Sequence, residues 1–259
     1  MGADSHQQCR LPVDANVLTV VTGWSPAGWI EYGQRFIESF HKHWPVCVKL
    51  IVYTEEPVAI PRGECRSLWD IPGARDFIER HKGRPAANGR KPGPTWKPNA
   101  IRAGYNWRFD AVKFCRQGFI PLHAAQGLSG LMCWLDADVV TFKDVTPGQV
   151  ESLLPASAVA SYLGRVRMHS EIGFQLYRLP EAMPILQRFR DLFATDEIFN
   201  YPEWHSAYAW DIAREHSGLR CHNLTPNGTG HVWFQSPLGS FCDHLKGKRK
   251  ALAASHERR

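Results

Sequence analysis

The sequence predicts an α/β domain of the Rossmann-like, nucleotide-binding kind, with a mostly parallel central sheet flanked by helices. Three observations predict it: an N-terminal strand–helix–strand run, strands that are apolar throughout, and a pair of aspartates where a mid-chain strand ends. Strands covered by helices on both faces read as unbroken apolar runs. Ligands of open parallel sheets bind beyond the carboxyl ends of such strands.

Val17-Leu18-Thr19-Val20-Val21-Thr22 is the first strand, and Gly23-Trp24-Ser25-Pro26 breaks it. Ile30, Phe36, Ile37, Phe40 and Trp44 then fall largely on one helical face. Residues 46–53 return as a second strand ending at Tyr53-Thr54-Glu55. No Gly-x-Gly-x-x-Gly follows the first strand, which disfavours a dinucleotide dehydrogenase. From 80 to 109 there is no acidic residue, many Gly and Pro, and the cations Arg80, Lys82, Arg84, Arg90, Lys91, Lys97, Arg102 and Arg108. Such a stretch cannot build a core and is expected to be a long, functional loop whose cations face no local acid. Further on, a helix is expected at 109–115, a strand at 131–135, a helix at 149–154, and strands at 158–163 and 174–179. Helices at 184–193 and 206–214 precede a charged C-terminal stretch. No repeat interrupts this order, so residues 1–259 are expected to form one domain with a basic Gly/Pro-rich loop at 80–108.

The length of 259 residues allows a sizeable core, and most of the 10 Trp are expected in it. Lys and Arg outnumber Asp and Glu by 31 to 25, a net charge of +6 that favours an anionic partner. The seven cysteines are scattered without a C-x-x-C pair, so neither a disulfide framework nor a zinc site is expected. The N-terminus has no apolar signal core, and no window approaches the roughly 20 apolar residues of a membrane helix. The expected location is the cytoplasm, with no membrane partner.

The strongest chemical signal is Trp134-Leu135-Asp136-Ala137-Asp138-Val139-Val140. Side chains of a strand alternate, so Asp136 and Asp138 at i and i+2 can face one side as the strand ends. Two carboxylates there suit Mg²⁺ or Mn²⁺, which in turn bridges a diphosphate. More than 100 residues later comes His244-Leu245-Lys246-Gly247-Lys248-Arg249-Lys250, an H-x-x-G-x-x-K pattern.

The D-x-D together with the late H-x-x-G-x-x-K resembles the glycogenin-like retaining glycosyltransferases of the GT-A fold. The resemblance implies that His244 joins Asp136 and Asp138 as a third ligand of Mn²⁺ or Mg²⁺. It implies also that Lys250 grips the diphosphate of a nucleotide-sugar donor, a UDP-sugar, while Gly247 lets the backbone approach. Thr22, Lys113 and Asp136 are expected on the donor as well, Lys113 because Arg108-Phe109-Asp110-Ala111-Val112-Lys113-Phe114 resembles the family's helix before the D-x-D strand. Glu171-Ile172-Gly173-Phe174 takes the place of the family strand that lines the donor sugar, and Glu203-Trp204-His205-Ser206 opens a helix expected to carry a sugar-contacting group. One departure is Ala251-Leu252, where the family has Pro-Trp after the lysine.

The C-terminal half also resembles bacterial and phage sequences carrying Glu-x-Gly-Phe, Glu-Trp-His-Asp-Ser and Asp-His-Leu-Lys-Gly-x-Arg-Lys. Ser206 and Ala207 stand where that pattern has Asp-Ser, so Glu171, His205 and Asp211 are the candidate catalytic residues. Retention is implied by the resemblance, and two acceptors fit: a hydroxymethylated base in phage DNA, engaged by the basic loop, or a cell-envelope glycan or lipid. Two other readings compete. D-A-D-V-V also fits a haloacid-dehalogenase-like phosphatase, but it lies mid-chain and no Asp-Asp follows. A non-catalytic nucleic-acid binder would use 80–108 and leave Asp136, Asp138 and His244 unexplained.

Overall fold

In the computed structural model, residues 18–90, 104–247 and 249 are described. β1 (Leu18–Trp24) ends at Ser25, whose hydroxyl caps α1 (Pro26–Gly28). One π-helical turn, Trp29–Gly33, carries α1 into α2 (Gln34–His43). β2 (Lys49–Thr54), β3 (Glu64–Ser67) and α3 (Ala74–His81) follow. After the basic segment come α4 (Ala111–Ala125), β4 (Gly130–Leu135), β5 (Val139–Thr141) and α5 (Pro147–Glu151). The remainder is β6 (Ala160–Arg165), β7 (Met168–Leu179), α6 (Met183–Ala194), α7 (Ser206–Ser217), β8 (Cys221–Asn223) and β9 (Cys242–His244).

Seven strands form the central sheet in the order β3-β2-β1-β4-β7-β6-β8. Pairing is parallel at β3–β2, β2–β1, β1–β4 and β6–β8, and only the long β7 runs against its neighbours β4 and β6. The expected mixed α/β architecture with a mostly parallel sheet is therefore what the chain adopts. Alternation along the strands divides the core in two. Val21, Ile51, Met132 and Trp134 face α3, α4, α6 and α7, while Val20, Leu50, Cys133 and Leu135 face α2 and the segment around Trp233. Trp24, Trp44, Trp134, Trp204, Trp210 and Trp233 are all at most 5% exposed, so tryptophan serves mainly as core here.

The helix expected at 109–115 is twice as long, because Gly118 and Pro121 are accommodated inside α4. A Cβ on Gly118 would lie 2.6 Å from the Phe193 ring, so the glycine is what lets α6 pack this close. The basic segment is corrected more substantially. Arg80 belongs to α3 and bonds Asp196 at 2.9 Å, Lys82 pairs with Glu79, and Arg108 bonds Glu203 at 2.8 Å. Arg84 lies over the Phe199 ring at 4.7 Å. Acids distant in sequence, and one in the preceding turn, neutralise cations that look unpaired in the local sequence. Lys91, Lys97 and Arg102 lie outside the described residues.

With β3, α3 and β8, a second, two-stranded sheet is among the elements that the sequence reading did not anticipate. β5 and β9 pair antiparallel with Val139 opposite His244, and the Leu245 N–H donates to the Asp138 carbonyl at 2.9 Å. This ladder brings the two chemical motifs together across more than 100 residues of chain.

Candidate functional site

β4 ends at Leu135, and the next residue, Asp136, is tied down by its backbone N–H to Gly173 of β7 at 2.9 Å. Its Oδ1 accepts from Trp134 Nε1 at 2.9 Å and from Gln117 Nε2 at 3.1 Å, so that oxygen is fixed by neutral donors. The other oxygen, Oδ2, lies 3.6 Å from His244 Nε2. Asp138 Oδ1 lies 2.8 Å from the same nitrogen. Ligand atoms of Asp136, Asp138 and His244 all fall within 4.8 Å of one another. Asp136 is the most open of the three, with 29% of its side chain exposed, against 11% for Asp138 and 3% for His244.

The electrostatics follow from this crowding. Burial pushes the Asp136 carboxyl up to about 6, helped by the like charge of Asp138 and opposed by His244. Burial, the largest single effect, would depress the His244 imidazolium, but the Asp138 and Glu171 carboxylates together outweigh it and raise the group to about 9. A proton on His244 offsets part of the negative charge of the two aspartates.

Glu171 stands behind the histidine. Its Oε1 is 3.3 Å from His244 Nδ1, while Oε2 meets the Lys246 ammonium and lies 3.6 Å from Arg165. The side chain is 6% exposed, and these partners hold its carboxyl well below the usual range despite burial. Glu171 therefore places a buried negative charge beside the imidazole, while its Oε1 accepts the Gly173 N–H at 3.2 Å and makes no hydrogen bond of good geometry to His244 Nδ1. Gly173 is required sterically: a Cβ there would sit 2.5 Å from His244 Nδ1 and Cε1.

The other expected residues divide. Gly247 has φ +57°, a left-handed turn just past β9 that favours glycine. Lys113 sits in the first turn of α4 but is exposed, with its ammonium 5.4 Å from the Phe114 ring. It is Gln117, one helical turn later, that reaches Asp136, and an i+4 extension of the Lys113 face was the available signal. Thr22 is 0% exposed, inside the sheet rather than at an opening, and its hydroxyl has no partner among the described residues. Lys250 lies outside the described residues. Lys246 and Arg249 were missed; Arg249 donates to the His244 carbonyl at 3.0 Å, which puts a guanidinium against the same strand end.

His205 and Asp211 belong to a second cluster, with His169 and Glu203. Glu203 Oε2 lies 2.7 Å from His205 Nε2 and 3.4 Å from His169 Nε2, and Asp211 Oδ2 lies 3.7 Å from His169 Nδ1. Three of these side chains are close enough to suggest a metal. The tautomer argues otherwise. His205 Nδ1 caps α7 by accepting the Tyr208 N–H at 3.3 Å, so the ring proton is on Nε2 and is donated to Glu203, leaving no lone pair there.

His169 is the titrating group of this cluster. The carboxylates of Asp211, first, and Glu203 raise it from 6.5 to about 9, against the opposing effect of burial. Its stabilisation is complete below pH 6.5 and is lost as pH rises through 9. With part of the ring in solvent, about 1–2 kcal/mol is expected from this linkage. Urea unfolding of wild type and His169→Gln from pH 6 to 10 should show the difference shrinking with rising pH; a constant difference would contradict it.

No protein-family model matches the sequence, and no curated protein aligns with it significantly. Solved structures do match. A glycosyltransferase involved in glycosylation of the major capsid of PBCV-1 superposes with a TM-score of 0.50 at 14% identity, covering 91% of this chain and 95% of that one. The Streptococcus pneumoniae TIGR4 glycosyltransferase GlyE gives 0.46 at 13% identity over 80% of this chain, which spans 45% of GlyE. The capsid enzyme's likeness is one of fold: the chain has a glycosyltransferase fold. Among the described residues no helix is long and apolar enough to cross a membrane.

Proposed function

We propose that this chain is a divalent-metal-dependent glycosyltransferase that takes a sugar from a nucleotide-sugar, a UDP-sugar first among them. The observation that carries the reading is the convergence of Asp136, Asp138 and His244 at the carboxyl edge of a parallel sheet. The donor set fits Mn²⁺ or Mg²⁺. Two carboxylates supply hard oxygens and the imidazole favours Mn²⁺, while the absence of a Cβ at Gly173 keeps the histidine in place. Bound there, the ion would supply charge stabilisation for the diphosphate leaving group.

This chain's own residues prepare the site. Trp134 and Gln117 fix one Asp136 oxygen, and Glu171 places a buried negative charge beside the His244 ring. By the motif resemblance Lys250 adds positive charge suited to a diphosphate, while Lys246 and Arg249 are paired with Glu171 and Asp243. Glu171 is enclosed by His244, Lys246 and Arg165, which argues against a covalent glutamyl intermediate, so the retention that the motif resemblance implies would proceed by same-face attack. His205 and Asp211 hold the helix and β7 beside the donor sugar through Glu203, Ser170 and His169.

Arg80, Lys82 and Arg108 are paired with acids, so a DNA acceptor would draw on the exposed Arg84 and Arg90, together with Lys91, Lys97 and Arg102, which lie outside the described residues. Product mass spectrometry with a panel of nucleotide-sugars, offered hydroxymethylated DNA and cell-envelope glycans in parallel, tests the activity. Metal-dependent release of nucleoside diphosphate is expected from at least one donor. If no donor is consumed with either Mn²⁺ or Mg²⁺, the enzymatic reading is wrong.

A further inference from the structure

Tryptophan serves mainly as core in this chain, and Trp107 is the exception. It is 37% exposed, more than any other tryptophan among the described residues. The residue opens a short 3₁₀ turn, Trp107–Phe109, that leads into α4. Contacts with the rings of His205 at 4.7 Å and Phe114 at 6.5 Å fix it in place. The Arg108 guanidinium, held by Glu203, lies 5.8 Å from its centre. A large ring that is fixed and yet open to water is what stacking requires.

Beside this turn lies an open cavity of about 490 Å³, lined by Lys82, Asn88, Arg90, Tyr105 and Asp110 among others. Gly89 shapes it. Its φ is +74°, its carbonyl accepts the Asn106 N–H at 2.6 Å, and its own N–H donates to the Phe109 carbonyl at 3.3 Å. A Cβ there would meet the Tyr105 ring at 2.5 Å, so that ring lies directly on the Gly89 backbone. Arg90 is thereby brought next to the turn that carries Trp107. The acid of the cavity is already engaged, since Asp110 accepts the Tyr105 hydroxyl at 2.7 Å and caps α4 through the Lys113 N–H at 3.0 Å. Lys82 is paired with Glu79. Arg84, Arg90 and Lys113 remain: all three are exposed, and none has an acid partner among the described residues. Arg84 lies over the Phe199 ring at 4.7 Å, and the Lys113 ammonium is 5.4 Å from the Phe114 ring.

Cations set between aromatic rings suit a single nucleic-acid strand, whose phosphates meet the cations while its unstacked bases lie on the rings. A duplex keeps its bases stacked inside and offers Trp107 no face. An anionic lipid surface would ask for several apolar side chains to insert, and Trp107 is the only exposed large apolar side chain in this stretch of described residues. Stacking and phosphate contacts do not read the sugar, so DNA and RNA strands are held alike. The surface also lies close to the metal cluster. Phe114 precedes Gln117 by three residues of α4, about 4.5 Å along the helix axis, and Gln117 bonds Asp136 at 3.1 Å.

We propose that Trp107, Arg84, Arg90 and Lys113 form a binding surface for a single nucleic-acid strand, with a base stacked on Trp107 and phosphates on the cations. The surface goes beyond the glycosyltransferase reading and does not depend on it.

Fluorescence anisotropy tests this with labelled oligothymidylate and oligouridylate of about 20 nucleotides, longer than the usual 4–16-nucleotide sites. Wild-type protein should bind both strands at about 50 mM salt and lose affinity toward 200 mM. Trp107→Ala should weaken binding about tenfold at fixed salt without changing the salt dependence, and Trp107→Phe should recover most of the loss. The double change Arg84→Ser with Arg90→Ser should flatten the slope of log affinity against log salt by about 1.4, two contacts' worth for a single strand. Far-ultraviolet dichroism of each variant checks the fold. The proposal is overturned if wild-type protein binds neither strand at the low-salt end, or if Trp107→Ala and Trp107→Phe both bind like wild type. It is equally overturned if dextran sulfate, a polyanion without bases, or vesicles of anionic phospholipid displace the strand as well as unlabelled oligothymidylate does.

Discussion

Replacing His244 with alanine is expected to lower sugar transfer roughly 10³-fold, the scale at which enzymes lose a group that stabilises transition-state charge. The imidazole is the only nitrogen in the cluster and lies 2.8 Å from Asp138 and 3.6 Å from Asp136. Removing it leaves two carboxylates facing each other with neither the ligand nor its proton between them. Asp138→Asn should cost a similar factor by removing one charge while keeping shape. Both variants should keep the far-ultraviolet dichroism of the wild type, because β5 and β9 pair through backbone groups that neither change touches. Initial rates of nucleoside diphosphate release at saturating Mn²⁺ give the answer. Rates within tenfold of wild type would remove His244 from the site.

Gly173→Ala should weaken Mn²⁺ binding by about 100-fold, the upper end of what disturbing groups around a metal ligand costs. The new methyl would lie 2.5 Å from two atoms of the His244 ring and 3.3 Å from Glu171 Oε1. The ring cannot retreat, because it packs on Trp233 with centroids 5.3 Å apart and is 3% exposed. Relief must come by turning the imidazole away from the aspartates. Equilibrium dialysis against Mn²⁺ measures the effect, and an unchanged dissociation constant would show that the histidine does not contribute a ligand.

The sheet was readable because its strands are apolar without interruption, and the sequence alone locates β1, β2, β4 and the end of β7 to within a few residues. Short strands were not: β3, β5, β8 and β9 have three or four residues each and no run long enough to show a period. Asp136 and Asp138 were legible from strand alternation, and His244 only through the motif, since nothing local announces that β9 pairs with β5. Gln117, Lys246 and Gly173 act through contacts across 19, 75 and 71 residues of chain, which no local pattern can carry. The basic segment misled for the same reason, as the acids Asp196 and Glu203 that neutralise Arg80 and Arg108 are about 100 residues away.

Calorimetric titration of UDP into the wild-type protein, once with Mn²⁺ and once with EDTA, tests most directly whether Asp136, Asp138 and His244 hold a cation for the donor diphosphate. Binding with Mn²⁺, its loss in EDTA, and its loss in His244→Ala even with Mn²⁺ present are the predicted results. Equal UDP affinity in EDTA and in Mn²⁺ would contradict the metal site, and with it the mechanism built on these three side chains.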